Sequence, residues 1–446
     1  VDFIKLIVRA GSWTIAAFGM RQALRLGTNI VLTRLLAPEL FGIMVVVNTF
    51  RTGVTLISDV GIGQSLVVNK NADTPEFYDT AWTINLIRCV LLWLVCVAIA
   101  QPLASYYRID ALSLIFPIGG LTFVLVGLTS LAPTLAQRRM LYKRLNVFNL
   151  VMDLVGYAGT ILLALLSPTI WALALGLVLA SGTRMIASYW LLPSVRHHLR
   201  LSIRYLRQII SFGKWIFFSS IVSFLAMNFD RLYLAKAFPL SLLGVYGVSR
   251  SLAEPVGQLV GQLIHVIVFP LVASSRASPS SLRSTLAPIR LMLLLAVAAG
   301  LSLIAAGADI IVGVLFDSRY NDAAWMLPIL LVAAWFAILC DLNDATLMGL
   351  GRPSYGAVAN CLKFGSLLIG LPLGFAAYGP AGAIAAVAAG DAIRYIPILV
   401  GQLRAGFTFG TQDLAATIAF FGLVAFWEWL RWLLGYGLSV GAIPTT

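Results

Sequence analysis

Thirteen apolar stretches follow one another from end to end of this chain with only short connections between them, and nothing limits its fold more. They lie near residues 12–36, 39–67, 79–103, 112–135, 146–166, 168–191, 208–237, 241–272, 288–312, 322–349, 355–377, 380–401 and 412–434. About 20 mostly apolar residues cross a bilayer as a helix. Lipid tolerates only helices and closed barrels, and these runs are continuous rather than alternating, which excludes a barrel. The chain is 60% hydrophobic and 11% charged, against about 25% charged in soluble domains. The fold class is an all-α polytopic membrane protein.

Basic residues orient the spans. With the N-terminus cytoplasmic, the inside connections hold seventeen Lys and Arg and the outside ones four: Arg34, Arg108, Lys236 and Arg319. Positive residues gather on the inside, so the net charge of +13 reads as topology, and no nucleic-acid partner is expected. Cys89, Cys96, Cys340 and Cys361 all fall in apolar runs without a C-x-x-C spacing, which gives no zinc or disulfide framework. The first run has no cleavage site after it and is read as a retained helix. The closing GYGLSVGAIPTT leaves room for a truncated fourteenth span.

A shift of 202 residues lays Gly11-Ser12-Trp13 on Gly213-Lys214-Trp215, and Leu32, Arg34, Leu40 and Gly42 on Leu234, Lys236, Leu242 and Gly244. Six spans per half means that both halves enter the membrane from the same side, a parallel repeat with its substrate site expected between the halves. The expected organisation is two pseudo-symmetric six-helix lobes, 1–191 and 208–404, around a central cationic cavity. A basic connector at 192–207 joins them, and 405–446 adds one or two helices.

Charge inside the spans marks candidate sites. Arg21 and Arg25 sit one turn apart near the middle of the first run, with Asn29 on the same face. An arginine at the centre of a spanning helix costs roughly 2.5–3.5 kcal/mol, so this stripe should face protein or water, and a cationic cavity suits an anionic substrate. Arg51, Thr55 and Asp59 form a second stripe; Arg250, Glu254, Gln258 and Gln262 a third; Asn228, Asp230 and Arg231 a shorter cluster. Pairing along one helix is the competing reading for Arg250 with Glu254 and for Arg51 with Thr55 or Asp59, and the favoured one for Asp391 with Arg394 and Glu428 with Arg431. Arg184 and Asp153 can pair between spans; Lys363 and Arg88 can snorkel. Asp341 and Asp344 fit a cation or proton site, a gate contact or helix-end hydrogen bonds. No H-E-x-x-H, P-loop or G-x-S-x-G occurs, so neither an enzyme nor a metal or other cofactor is expected.

The stretches RLLAPELFGIMVVVNTF (34–50), SDVGIGQSLVVNK (58–70), PTLAQRRMLYKRL (133–145) and MGLGRPSYG (348–356) resemble the Wzx-type polysaccharide-transporter flippases. The similarity is closest to the exopolysaccharide and colanic-acid exporter branch, in the superfamily that also holds the lipid II flippase and the MATE exporters. The resemblance implies alternating-access transfer of an undecaprenyl-diphosphate-linked repeat unit from the cytoplasmic to the periplasmic leaflet of a bacterial inner membrane. Family cavity arginines on the first, second and eighth helices match Arg21 or Arg25, Arg51 and Arg250 here.

The expected substrate-binding set is therefore Arg21, Arg25, Asn29, Arg51, Arg250, Gln258 and Gln262, with Asp59, Asp230, Glu254, Asp341 and Asp344 for gating or ion coupling. Membrane lipids, a polysaccharide polymerase and a chain-length regulator are the expected partners. The alternatives are a polymerase or ligase acting on the same lipid-linked sugar, and a MATE-like exporter of amphiphiles. Resetting by the membrane potential competes with proton counter-transport through Asp341 or Asp344.

Overall fold

The computed structural model describes residues 2–58, 62, 63, 66, 74–139, 141–193, 195, 197–264, 279–437 and 439, with backbone alone for 2–15, 207–216, 218, 279–282 and 285. Among them there is no strand. The helices are α1 (Asp2–Leu35), α2 (Pro38–Ile57), α3 (Pro75–Tyr107), α4 (Leu112–Leu128), α5 (Ala132–Arg138), α6 (Tyr142–Leu166) and α7 (Ile170–Leu191). After a connector come α8 (Ile203–Ala237), α9 (Leu240–Leu263), α10 (Pro279–Ala306), α11 (Ala308–Leu315), α12 (Ala323–Gly349), α13 (Ser354–Arg404) and α14 (Gly410–Leu433). Each apolar run of the sequence falls, among the described residues, largely on helix. Among the described residues, eight helices are long and apolar enough to cross a membrane, or nine if the bent pair α4–α5 counts as one span. Their outer faces carry large apolar side chains in the open, such as Leu165, Leu166 and Trp190 on α6 and α7 and Ile418 and Trp432 on α14, the arrangement lipid requires.

Local chemistry sets the helix ends. Pro38 and Pro75 occupy the first turns of α2 and α3, where a missing N–H costs nothing. The 51-residue α13 is two helices broken at Tyr378 and Gly379, with Gly379 at φ 58°. Pro380 follows immediately, so a left-handed glycine and an N-terminal proline separate the two spans expected from the sequence.

The chain forms two compact units. The first (the N unit) comprises Gly19–Phe224 and Ala235–Gly244; the second (the C unit) comprises Val1–Phe18, Leu225–Leu234 and Val245–Thr446. Within the N unit, the repeat-related glycines meet reciprocally. A Cβ on Gly42 would lie 2.1 Å from the Leu240 carbonyl oxygen, and one on Gly244 would lie 2.0 Å from that of Pro38. Pro38 and Leu240 are themselves 202 residues apart, so the shift read from the sequence relates the two halves of this contact. Alanine at Gly42 or Gly244 is expected to separate the starts of α2 and α9 and to cost about 1–3 kcal/mol, read as a lowered melting temperature in detergent.

The connector is strapped along the first turns of α3. The backbone N–H groups of His198, Arg200 and Ser202 donate to Asp79 Oδ1 (3.2 Å), Thr83 Oγ1 (3.1 Å) and Thr80 Oγ1 (3.2 Å). His197 stacks on Trp82 at 5.4 Å, and its Nε2 accepts from the Leu131 N–H at 3.1 Å beside the Ser130 hydroxyl. It thereby closes the break between α4 and α5. Burial holds this imidazole below its usual 6.5, outweighing the pull of Asp79, with His198 adding to the lowering. The folded chain thus resists a proton that the unfolded chain accepts, so this contribution is intact above about 6.5 and is lost as pH falls below it. A thermal-stability series against pH should show a shallower acid-side fall for His197→Gln than for the parent protein.

Candidate substrate-binding site

The N unit leaves its arginines short of carboxylates. Arg21 Nε and Arg184 Nη2 both donate to Asp153, at 2.7 Å each, to its two separate oxygens. The Arg184–Asp153 pair was legible in the sequence; the reach of Asp153 across to Arg21 on α1 was not. Arg25, one turn further along α1, has Nε and Nη2 buried with no hydrogen-bond partner among the described residues. Arg51 on α2 donates to Asn48 Oδ1 at 3.0 Å and Thr122 Oγ1 at 2.9 Å. Its Nε is buried and unpartnered, and its guanidinium carbon stands 6.0 Å from the Phe123 ring centre. No carboxylate pairs with Arg25 or Arg51 among the described residues. The Thr55 hydroxyl donates to the Arg51 carbonyl, so the competing pairing of the Arg51 and Thr55 side chains does not form. Asn29 is half-buried on α1, and Asp59 lies outside the described residues.

The C unit is the opposite case. Arg250 Nη1 donates to Asp230, and its Nε donates to Glu254 at 2.9 Å. Glu254 also accepts from Arg231 at 2.5 Å, and Tyr246 donates to Asp230. The α9 pair Arg250–Glu254 therefore forms at the spacing seen in the sequence, with α8 supplying a second acid. These groups border a cavity of about 370 Å³. Arg231, Arg250 and Lys363 line it against Glu254, Asp341 and Asp391, with Gln258 beside them. The charged groups that line the cavity balance, three cations against three carboxylates. Gln262 is exposed at the end of α9. Asp344 is mostly enclosed with Oδ1 unpartnered, and it packs so closely on Gly356 that a Cβ there would lie 2.3 Å from that oxygen.

Three pairings differ from the sequence reading. Asp391 binds Lys363 at 2.6 Å rather than Arg394, and Lys363 is buried rather than snorkelling. Arg394 binds Asp341 at 3.0 Å. Arg431 binds Asp309 at 2.6 Å, while Glu428 accepts from the Ser439 backbone at 3.0 Å. In each case a neighbouring helix or loop offers a better-directed partner than the i, i+3 residue. Sequence spacing registers neighbours on one helix and is blind to those across a packing interface.

A further buried network fixes α14. Arg290 on α10 donates to Asp413, to Gln412 at 2.8 Å and to Asn343 at 3.0 Å, while Asn343 and Tyr395 donate to the other Asp413 oxygen. Gln402 donates to Asn343 at 2.8 Å. Four helices are thus tied through one carboxylate. Asn343 lay between the two expected coupling acids in the sequence, yet its role is to hold α14 in place.

These features define a multi-pass helical membrane protein of the fold shared by the lipid II flippase and MATE exporters. A structure described as the lipid II flippase MurJ in an inward closed conformation superposes with a TM-score of 0.73 over 94% of this chain and 92% of that one, at 11% identity. An inward-facing multidrug-resistance MATE transporter gives 0.62 over 86% and 94%, at 15% identity. The chain belongs to the polysaccharide biosynthesis protein family, which it matches over residues 31–325. Among its relatives is the succinoglycan biosynthesis transport protein ExoT of Rhizobium meliloti, 24% identical over 78% of this chain and 70% of ExoT. The lipopolysaccharide biosynthesis protein WzxC of Escherichia coli is 22% identical over 62% of this chain and 56% of WzxC.

The Lys363–Asp391 pair offers a direct check of the C-unit network. Asp391→Ala should destabilise the protein by about 3–5 kcal/mol, because it strands a buried ammonium. Adding Lys363→Met should recover most of that loss in thermal unfolding.

Proposed function

We propose that this protein is a flippase that moves an undecaprenyl-diphosphate-linked oligosaccharide from the cytoplasmic to the periplasmic leaflet of a bacterial inner membrane. In this reading the N-terminus is cytoplasmic, and lobes at 1–191 and 208–404, with the added segment 405–446, expose the site alternately to each side. The observation that carries it is the surplus of positive charge in the N unit: Arg25 and Arg51 have no carboxylate among the described residues, and Arg21 shares its one acid with Arg184. A guanidinium stays charged at any relevant pH, so a cation kept in an apolar helix calls for an anion or water. Its planar fork matches phosphate oxygens. The names of the relatives point the same way, since ExoT is a transport protein of succinoglycan biosynthesis.

The diphosphate is assigned to Arg21, Arg25 and Arg51. Arg250, already held by two acids, joins only by exchanging one of them. Asn29, Gln258 and Gln262 are assigned to glycan hydroxyls, and the prenyl chain stays in lipid. Asp344 is favoured over the paired Asp341 as a coupling acid because one of its oxygens is buried without a partner. The polymerase and chain-length regulator that act on the delivered unit are the expected partners.

Each charge-assisted contact to the diphosphate contributes about 1.5–3 kcal/mol. Arg25→Ala and Arg51→Ala should therefore each lower polymer export about tenfold or more, with unchanged protein in the membrane and the completed lipid-linked unit accumulating on the inner leaflet. Normal export by either variant would refute the assignment, and accumulation on the outer leaflet would favour an enzyme instead.

A further inference from the structure

Arg184 is a guanidinium of the N unit that the proposed site leaves aside. Arg21 on α1 and Arg184 on α7 share a single acid, Asp153 on α6; Arg25 follows Arg21 one turn along α1, and Tyr157, one turn beyond Asp153 on α6, feels the charge of all four. Among the described residues of this cluster, three cations thus stand against one anion. Arg21 binds Asp153 through Nε alone, at 2.7 Å, and its side chain is 43% exposed. Arg184 gives one terminal nitrogen to Asp153 and the other to Asn149 at 3.0 Å; its side chain is 36% exposed and stands 6.0 Å from the Phe148 ring. Arg25 has two buried nitrogens with no hydrogen-bond partner among the described residues. Arg184 lies seven residues before the end of α7, about 10 Å inside it, so the surplus sits within a span and not at a helix tip.

Buried donors without partners are rare, and buried charge without compensation is rarer. Water satisfies the donors but not the charge. A diphosphate esterified at both ends carries one negative charge on each phosphate, which equals the surplus left after Asp153 is counted.

Resting on the flippase reading of Arg21 and Arg25, we propose that Arg184 is a further binding residue of the diphosphate site and that Asp153 is its place-holder. Asp153 keeps Arg21 and Arg184 together in the empty protein and gives them up when a diphosphate arrives. Arg25, having no carboxylate partner among the described residues, takes the ligand first. The two exposed forks follow as Asp153 is displaced, and Asp153 recovers them as the ligand leaves. No bond is made or broken; the exchange is one anion for another on the same donors.

The test uses the full chain in nanodiscs, with inorganic diphosphate and a short-chain prenyl diphosphate as probes. Arg184→Gln should weaken binding of both about tenfold, and Arg184→Lys should restore part of it, because an ammonium supplies the charge without the fork. Asp153→Asn should bind the probes several-fold tighter yet move lipid-linked cargo more slowly in proteoliposomes. A merely structural acid would lower both. Unchanged affinity in Arg184→Gln, or weaker binding in Asp153→Asn, overturns the proposal. So does phosphatidylglycerol retention that Arg184→Gln reduces as strongly as diphosphate binding, which would make the cluster a phospholipid headgroup site. Should Arg25→Gln abolish probe binding while the Arg184 and Asp153 variants behave as the parent, this inference falls and the flippase reading stands. Should the parent protein bind neither probe, both fall.

Discussion

A guanidinium cannot shed its proton to enter lipid, and that single restriction organises this molecule. Every arginine in a spanning helix must find an anion, a ring of neutral acceptors or water. The C unit meets the demand internally: Arg250 has Asp230 and Glu254, Arg394 has Asp341, Arg290 has Asp413 and Arg431 has Asp309. The N unit does not: among the described residues Arg25 on α1 has no carboxylate, and Arg51 on α2 has neutral acceptors alone. Two units of similar helical construction therefore differ in electrostatic character. Replacing a buried ion pair by apolar groups is often neutral or better for stability, so the C-unit networks are best understood as fixing which helices meet. The Asp413 network, which joins α10, α12, α13 and α14, is the clearest instance.

Much of the fold was legible because the bilayer removes alternatives. A run such as 168–191 admits one secondary structure in lipid, and Tyr378-Gly379-Pro380 announces its own break. Arg21 and Arg25 stood out for the same reason: charge is conspicuous where nearly everything else is apolar. The 202-residue shift was faint in the sequence, yet Gly42 and Gly244 fall where the backbones of α2 and α9 approach too closely for any side chain.

Partnership across helices was harder to read. Lys363 looked like a helix-end cation and is instead sealed against Asp391 on the second half of α13. Asp153 showed a partner one helix away, in Arg184, but gave no hint of Arg21, which is 132 residues distant. Asn48 and Thr122 carried no signal at all, since an amide and a hydroxyl on apolar helices are unremarkable until a guanidinium is seen between them. Periodicity reveals the face a residue occupies; the neighbour it meets there is decided by packing.

The reciprocal approach of Gly42 and Gly244 bears on how such a chain came to exist. Were each half once a separate polypeptide pairing with its own copy, this glycine would have faced itself across the dyad. Any mutation there would have been felt on both sides at once, doubling the clash. Were such copies then fused into one chain, that position would become two independently mutable sites, each still barred from gaining an atom by the backbone opposite.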